Sequence, residues 1–519
     1  MFGPVCLVLM ILPISLLLTL DHNAIQQVEA LTGRLGNESG HPCDHVTGDF
    51  HTWLTEASSV DVVVVGGGVA GLTAVQKLLS HGVTDVVLLE AQDYLGGRVL
   101  TYRQDGVLVE DGAEWIHGGR RNPLYRLARN LGAVSPTLPD DAWDWRFVTQ
   151  DSEPADPSAY DFIEALMEEC RENGILTDYY NTSFGQYFID RFHEIYDSRI
   201  DSETGKALLH YMMQIVNYDE GTGDWLDMSA RDADQFVDYG DDRQWENGFD
   251  TLITHLKKGI PDSKVHLSSP VCKVYWNMPD ESRVLVVTQQ GISFLAHHMI
   301  VTTSVAHLQE RHTHIFHPML PENFVKTLKA VSLGVANKIQ LGWADPWWGP
   351  DPLSLHILWT TYDLPQDMSW LYGIASAFSV HKQRAVLQMF ITGDNSTYME
   401  SLPETVVEKH ILYLLRRVTG KNITQPNFFR RTRWGSNPWM LGSYSSFITV
   451  AGDRGGVHRH DQLATPLLNS SGKIVVMWAG EHTHNTRYST VDGAMETGKR
   501  EALRVISLLK SSKSMHLSH

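Results

Sequence analysis

Asp61-Val62-Val63-Val64-Val65-Gly66-Gly67-Gly68-Val69-Ala70-Gly71 decides the fold. The continuous apolar run fits a parallel strand covered on both faces. The glycines after it fit G-x-G-x-x-G. Gly66 permits a tight turn, Gly68 lets the backbone approach a pyrophosphate, and Gly71 allows a helix to pack closely on the strand. Leu72, Ala74, Val75, Leu78 and Leu79 then recur at helical spacing. A second strand, Asp85 to Leu89, ends on Glu90, at the distance of about 20 residues where an acid accepts hydrogen bonds from ribose hydroxyls. The unit predicts a β-α-β dinucleotide fold with phosphate on the helix N-terminus, where open N–H groups and the dipole favour an anion.

Further strand-like runs occur at 265–275, 283–288, 298–302 and 473–478, so the dinucleotide domain is assembled from separated pieces. With 519 residues, two domains are expected. The fold class is α/β: a Rossmann-like cofactor domain of residues 58–130, 247–310 and 436–510, interleaved with an α+β substrate-binding domain of residues 131–246 and 311–435. Residues 131–246 are rich in Asp, Tyr, Trp and Met and read as helical, as from Ile175 to Val216, without parallel strands. Residues 511–519 are a tail.

Val5 to Leu20 form an uncharged apolar run, shorter than the roughly 20 residues of a spanning helix. The run reads as a signal peptide within residues 1–30, against the alternative of an uncleaved anchor, and nothing later is long and apolar enough to span a membrane. A flexible lead-in over 31–57 follows. Asn-x-Ser/Thr sequons at Asn37, Asn181, Asn395, Asn422 and Asn469 sit in polar sequence of the surface-loop kind, so a secreted glycoprotein is expected. Signal removal leaves Cys43, Cys170 and Cys272, an odd number that makes no closed disulfide framework; Cys272 reads as a buried small residue. No zinc-type spacing exists, and no metal is expected. A net charge of -19 disfavours nucleic acid and suits either a polycationic partner or solubility alone.

Gly96-Gly97-Arg98 follows Glu90, then Gly112-Ala113-Glu114-Trp115-Ile116-His117-Gly118; near the C-terminus stand Trp478-Ala479-Gly480-Glu481-His482-Thr483 and Arg487-Tyr488-Ser489-Thr490-Val491-Asp492-Gly493-Ala494. With Ser269-Pro270-Val271-Cys272 between them, these segments resemble the flavin amine oxidases over about Val60 to Leu508, and most closely the animal polyamine oxidases. The resemblance implies non-covalent FAD. Gly97, Arg98, Gly112, Ala113, Glu114 and Trp115 would run beside the cofactor and Val271 would contact adenine. Glu481 would meet the ribityl or pyrophosphate region, and Thr490 and Val491 would open a helix toward the flavin.

The same resemblance assigns the chemistry. Lys338, in Asn337-Lys338-Ile339-Gln340-Leu341, is similar to the lysine that holds a water at flavin N5; the plainer alternative is an edge lysine reaching solvent. Tyr444 and Tyr488 match the rings that flank the substrate nitrogen, with Ser489 beside them. His117 matches the histidine of the animal enzymes, a neutral imidazole accepting a hydrogen bond from the amine. Asp219 or Glu220 falls where the family holds a distal ammonium, and Asp492 departs from the His common in the animal enzymes.

The expected reaction is oxidation of a polyamine, spermine or an N-acetylated relative, with oxygen reduced to peroxide and an aminoaldehyde released. The alternatives are another secreted amine oxidase, acting on amino acids or monoamines, or an inactive flavoprotein. Gly442-Ser443-Tyr444 lacks the cysteine that tethers flavin in monoamine oxidases, and Glu114 stands in the segment where amino-acid oxidases carry a carboxylate-binding Arg. Leu517-Ser518-His519 does not resemble a peroxisomal address.

Overall fold

The computed structural model describes residues 41–136, 139, 142–155, 165–166, 169, 176–195, 202–278 and 281–517; Val5 to Leu20, Asn37 and Cys170 lie outside them. The chain divides into one compact unit up to Thr47 and another from Gly48 onward. In the first, Pro42–His45 form a 3-10 turn and Cys43 is buried and disulfide-bonded.

The second unit starts with helix α1 (Phe50–Glu56), which Asp49 caps by accepting from the amides of His51 and Thr52. Trp53 on this helix is buried, so the expected lead-in is already folded before residue 57. The helices used below are α2 (Val69–Ser80), α3 (Ser202–Asp219), α4 (Glu404–Thr419) and α5 (Val491–Leu517). The strands are β1 (Ser58–Val65), β2 (Val86–Leu89), β3 (Asp144–Thr149), β4 (Val271–Tyr275), β5 (Val284–Thr288) and β6 (Ser293–Val301). They continue with β7 (Asn337–Gly342), β8 (Leu353–Leu358), β9 (Ser376–Ser379), β10 (Val386–Ile391), β11 (Phe428–Arg431) and β12 (Ile474–Trp478).

The first sheet has nine strands. Its parallel centre runs β2-β1-β6-β12, and β5 and β4 extend it with antiparallel pairs. The valines of β1 alternate between two cores. Val62 and Val64 pack with Leu72, Val75 and Leu78 of α2 and with Ala502 and Val505 of α5. Val63 and Val65 face Val286, Met299 and Val476. A strand covered on both sides therefore needs an apolar residue at every position. Cys272, on β4, is buried and also disulfide-bonded, which corrects its reading as a plain small core residue.

The second sheet has six strands in the order β11-β7-β10-β9-β8-β3. β3 pairs in parallel with β8, contrary to the expectation that residues 131–246 hold no such strand. Its short period-2 pattern finds a partner only about 200 residues away. Ile339, Leu341, Leu355, Ile357, Leu387 and Met389 point to one face and pack on Val407, Ile411 and Leu414 of α4. Residues at the alternate positions, Lys338 and Gln340 among them, point to the other face. Lys338 is therefore on an inner strand, flanked by β10 and β11, not at an edge.

Of the described sequons, Asn181 and Asn422 are exposed and Asn395 is half-buried. Asn469 is buried; its amide donates to the Ser282 carbonyl and its oxygen accepts from the amides of Ser471 and Lys473, so it is not the surface site expected. Among the described residues no helix is long and apolar enough to cross a membrane.

Candidate active site

β1 ends at Val65, and Gly66 turns the chain with φ 102°; a Cβ there would lie 2.4 Å from Thr302 Oγ1. A Cβ on Gly71 would stand 1.9 Å from the Gly66 carbonyl oxygen, so α2 can approach the turn only with glycine there. Gly68 caps α2 without a side-chain bond, which leaves the first amides of the helix to an outside acceptor. Glu90 is buried beside this turn, accepting from the amides of Gly67 at 2.5 Å and Gln92 at 2.8 Å. Burial pushes its carboxyl above the usual range, against the pull of both amides.

One cavity of about 1600 Å³ joins this turn to Lys338, Tyr444, Tyr488, His117 and Trp115. It exceeds a usual single-ligand pocket of roughly 300–1,000 Å³, as a site for a cofactor and a substrate together must.

Lys338 is buried, and its ammonium donates to the carbonyls of Glu110 (3.1 Å) and Gly112 (2.9 Å) and to Glu114 Oε2 (2.9 Å). Glu114 also accepts from Gln388 at 2.8 Å and Gln244 at 3.0 Å. Burial opposes its charge, but Lys338 and the two amides outweigh that and hold the carboxyl below its ordinary value. Glu114 lines the cavity with Gly112, Ala113 and Trp115, and its side chain is the counter-ion of Lys338.

Glu481 is buried as well. It accepts from Arg98 at 2.8 Å, from the Ser489 amide at 2.8 Å and from the Ser445 hydroxyl, while Arg98 also donates to the Ser443 carbonyl. Burial would raise its carboxyl, yet Arg98 and these donors bring it down to about 2. Both carboxylate oxygens serve protein donors, so Glu481 ties the glycine-arginine segment to the C-terminal motif at the cavity wall. Ser489 lines the cavity and gives its hydroxyl to the Ser445 carbonyl. Thr490 accepts from the Gly493 amide and so caps the start of α5, with Val491 its first residue, at the cavity wall. Val271 lines the cavity from the first position of β4.

The aromatic residues form a separate wall. The Tyr444 hydroxyl donates to the Tyr218 carbonyl at 2.5 Å. Tyr488 stacks on His460 with centroids 4.0 Å apart, and Phe236 and Phe447 meet it edge-on. Burial, followed by the charges of Asp219 and Glu220, raises the Tyr444 hydroxyl far above its usual pKa. Tyr488 is raised by burial, then Asp232 and Glu220. Both phenols therefore stay neutral; Glu220 lies within charge reach of both rings and Asp219 within reach of Tyr444.

His117 Nδ1 stands 2.8 Å from Asp242 Oδ2, and the Gly118 amide donates to the same carboxylate. Burial lowers the imidazole pKa, but Asp242 more than offsets it, so the net shift is upward. This revises the neutral acceptor expected: the ring is neutral only above a raised pKa, with its lone pair then on Nε2.

The flavin containing amine oxidoreductase family matches residues 69–506. The chain belongs to this family. A human relative, the peroxisomal N(1)-acetyl-spermine/spermidine oxidase, is 30% identical over 86% of this chain and 95% of its own length. Probable polyamine oxidase 5 of Arabidopsis thaliana is 24% identical over 88% and 99%. Putrescine oxidase bound to putrescine shares the fold at a TM-score of 0.67 and 22% identity, covering 87% of this chain and 100% of that one.

This amine oxidase is thus a flavoprotein with FAD as its cofactor, and the cradle at Gly66, Gly68, Gly71 and Glu90 fits a dinucleotide. Sequence patterns do not reveal what holds its cavity-lining segments together. Arg487 and Asp492, 0% and 1% exposed, pair through two contacts of 2.8 and 3.1 Å. Arg487 also donates to the carbonyls of His117 (3.0 Å) and Val237 (2.8 Å), locking the C-terminal motif onto the histidine segment. Asp492, which the sequence sets in an otherwise family-like motif, was the one available signal, since a buried carboxylate requires a cation. Gln388 and Asp242 carried no signal.

Proposed function

We propose that this flavoenzyme oxidises polyamines, spermine or its N-acetylated relatives, at the carbon beside a secondary nitrogen, releasing an aminoaldehyde and hydrogen peroxide. The observation that carries this reading is the union, in one cavity, of Tyr444 and Tyr488 with Asp219 and Glu220. Ring faces attract an amine and the carboxylates attract further ammonium groups of the same chain. The Arg and Lys side chains lining the cavity among the described residues are each paired with a carboxylate: Arg98 with Glu481, Arg243 with Asp241, Lys338 with Glu114, Arg487 with Asp492. Such pairing disfavours an amino-acid carboxylate as ligand.

When bound, the flavin supplies the two-electron oxidation of the carbon–nitrogen bond and the passage of those electrons to oxygen. The chain prepares the amine for it. Desolvation between Tyr444 and Tyr488 lowers the amine pKa, favouring the neutral form. His117, once neutral, takes the amine proton at Nε2 while Asp242 fixes the ring through Nδ1. Asp219 and Glu220 hold distal ammonium groups, an attraction that weakens with salt.

Secretory export belongs to the same proposal. Its support is the apolar run Val5 to Leu20 and the exposed sequons at Asn181 and Asn422. Peroxide release should be compared across spermine, acetylspermine, spermidine, benzylamine and leucine. Preference for a polyamine supports the reading, and preference for benzylamine or leucine overturns it.

A further inference from the structure

The two tyrosines of the cavity share one support behind them. His460 is fully buried, and its imidazole lies nearly parallel to the Tyr488 ring, with centroids 4.0 Å apart and planes 16° apart. Tyr488, Phe236 and Phe447 line the cavity, whereas His460 is not among the described residues that do, so the imidazole covers the ring from the protein side. Phe236 and Phe447 meet the same ring at 69° and 76° and close its flanks. The plane of Tyr488 is thus set by a second flat ring pressed on its back.

Asp232, buried in the short helix Ala230–Ala233, holds that second ring. His460 Nε2 stands 3.0 Å from Asp232 Oδ2, and the same oxygen accepts from the Ile448 amide at 2.7 Å. Ile448 ends the strand Ser445–Ile448, which starts directly after Tyr444. The Ser229 amide donates to the Ile448 carbonyl at 2.9 Å, so the strand is bonded twice to the segment that carries Asp232. The Tyr488 hydroxyl completes the set by donating to the Asp232 carbonyl at 3.4 Å. One residue therefore reaches Tyr444 through its strand, and Tyr488 through both its hydroxyl and its stacked partner. Two rings that confine an amine must keep a fixed separation, since a displacement of about 1 Å at a reacting atom can cost a hundredfold in rate.

We infer that Asp232 and His460 are positioning residues, a buried brace that fixes the plane of Tyr488 and its separation from Tyr444, and so the place of the reacting amine between the rings. This assignment rests on the reading of both tyrosines as the walls that flank the amine. It does not depend on which amine is preferred.

The test mixes the full-length flavoenzyme anaerobically with spermine and, in a parallel series, with benzylamine, each over a range of concentrations. The series separate the limiting rate of flavin reduction from the apparent Kd. His460→Leu keeps nearly the same side-chain volume but removes the flat face and the bond to Asp232, and retained flavin absorbance verifies its fold. Its limiting rate should fall about tenfold, the upper value of a lost aromatic pair, while the apparent Kd for spermine stays within twofold. His460→Phe puts a flat ring back behind Tyr488 and should recover the rate to within threefold of the wild type, a rescue that general loosening of the structure would not give. A His460→Leu enzyme within twofold of the wild-type rate, or a His460→Phe enzyme as slow as the leucine variant, would overturn the brace. Tyr488→Leu tells the two readings apart: if it too reduces at the wild-type rate, the wall reading falls as well, and if it is slow, the brace alone falls. Wild-type flavin reduced by benzylamine but not by spermine removes the polyamine reading, and the same variants then decide the brace on the benzylamine series. Wild-type flavin that neither amine reduces would remove both the walls and the brace.

Discussion

Replacing Lys338 by methionine should cost stability before it costs chemistry. The ammonium and the Glu114 carboxylate are each only 7% exposed, so solvent screens neither. Removing one partner of such a pair leaves a buried charge uncompensated, a loss of about 3–5 kcal/mol. At an unfolding entropy near 2.1 cal/mol/K per residue, a chain of 519 residues loses roughly one degree of melting temperature per kcal/mol, so Lys338→Met should melt about 3–5 °C lower. Glu114→Gln in the same chain removes the stranded charge and keeps an amide for Gln388 and Gln244 to bond. The double variant should therefore regain most of the loss, while its oxidase turnover stays as low as that of Lys338→Met. Flavin fluorescence during heating reads the first quantity and oxygen consumption the second. A Lys338→Met protein that melts with the wild type, or a double variant less stable than the single one, would refute the ion-pair account.

FAD should leave the polypeptide on heat or acid denaturation, because Gly442-Ser443-Tyr444 offers no cysteine for a thioether; flavin that stays with the chain on a denaturing gel would contradict this. The acid limb of kcat/KM should lie above the ordinary histidine value of 6.5, since Asp242 raises His117 and only the neutral ring accepts a proton. Asp242→Asn should move that limb downward, and an unmoved limb would exclude the pair. By linkage, the stability this pair contributes is present below pH 6.5 and fades as pH rises through the raised folded pKa. In secreted material, mass spectrometry should find glycan at Asn181 or Asn422 and none at Asn469, whose amide is buried and bonded; an occupied Asn469 would contradict its placement.

The dinucleotide cradle was legible because its parts follow one another along the chain: strand, glycines, helix and acid lie within Val60 to Glu90. The tyrosines, Lys338 and His117 were found through short motifs, each a local pattern. What holds them was not legible, since the partners are distant in sequence. Lys338 and Glu114 are 224 residues apart, His117 and Asp242 125, and Arg487 and the His117 carbonyl 370. Only the closure of two sheets over one cavity brings these together. Strand β3 was missed for the same reason, and α1 because its evidence is one cap and one buried tryptophan. The polar alternation of Lys338 and Gln340 with Ile339 and Leu341 did foreshadow a strand with one face on a core and one on a polar site.

Anaerobic mixing of the purified flavoprotein with spermine or acetylspermine, followed by visible absorbance, tests the central claim most directly. An amine oxidase with Tyr444, Tyr488, Asp219 and Glu220 around one cavity should bleach its flavin within the mixing experiment, and benzylamine and leucine should bleach it far more slowly. A flavin that stays oxidised with every polyamine, or that leucine or benzylamine reduces faster, would contradict the account.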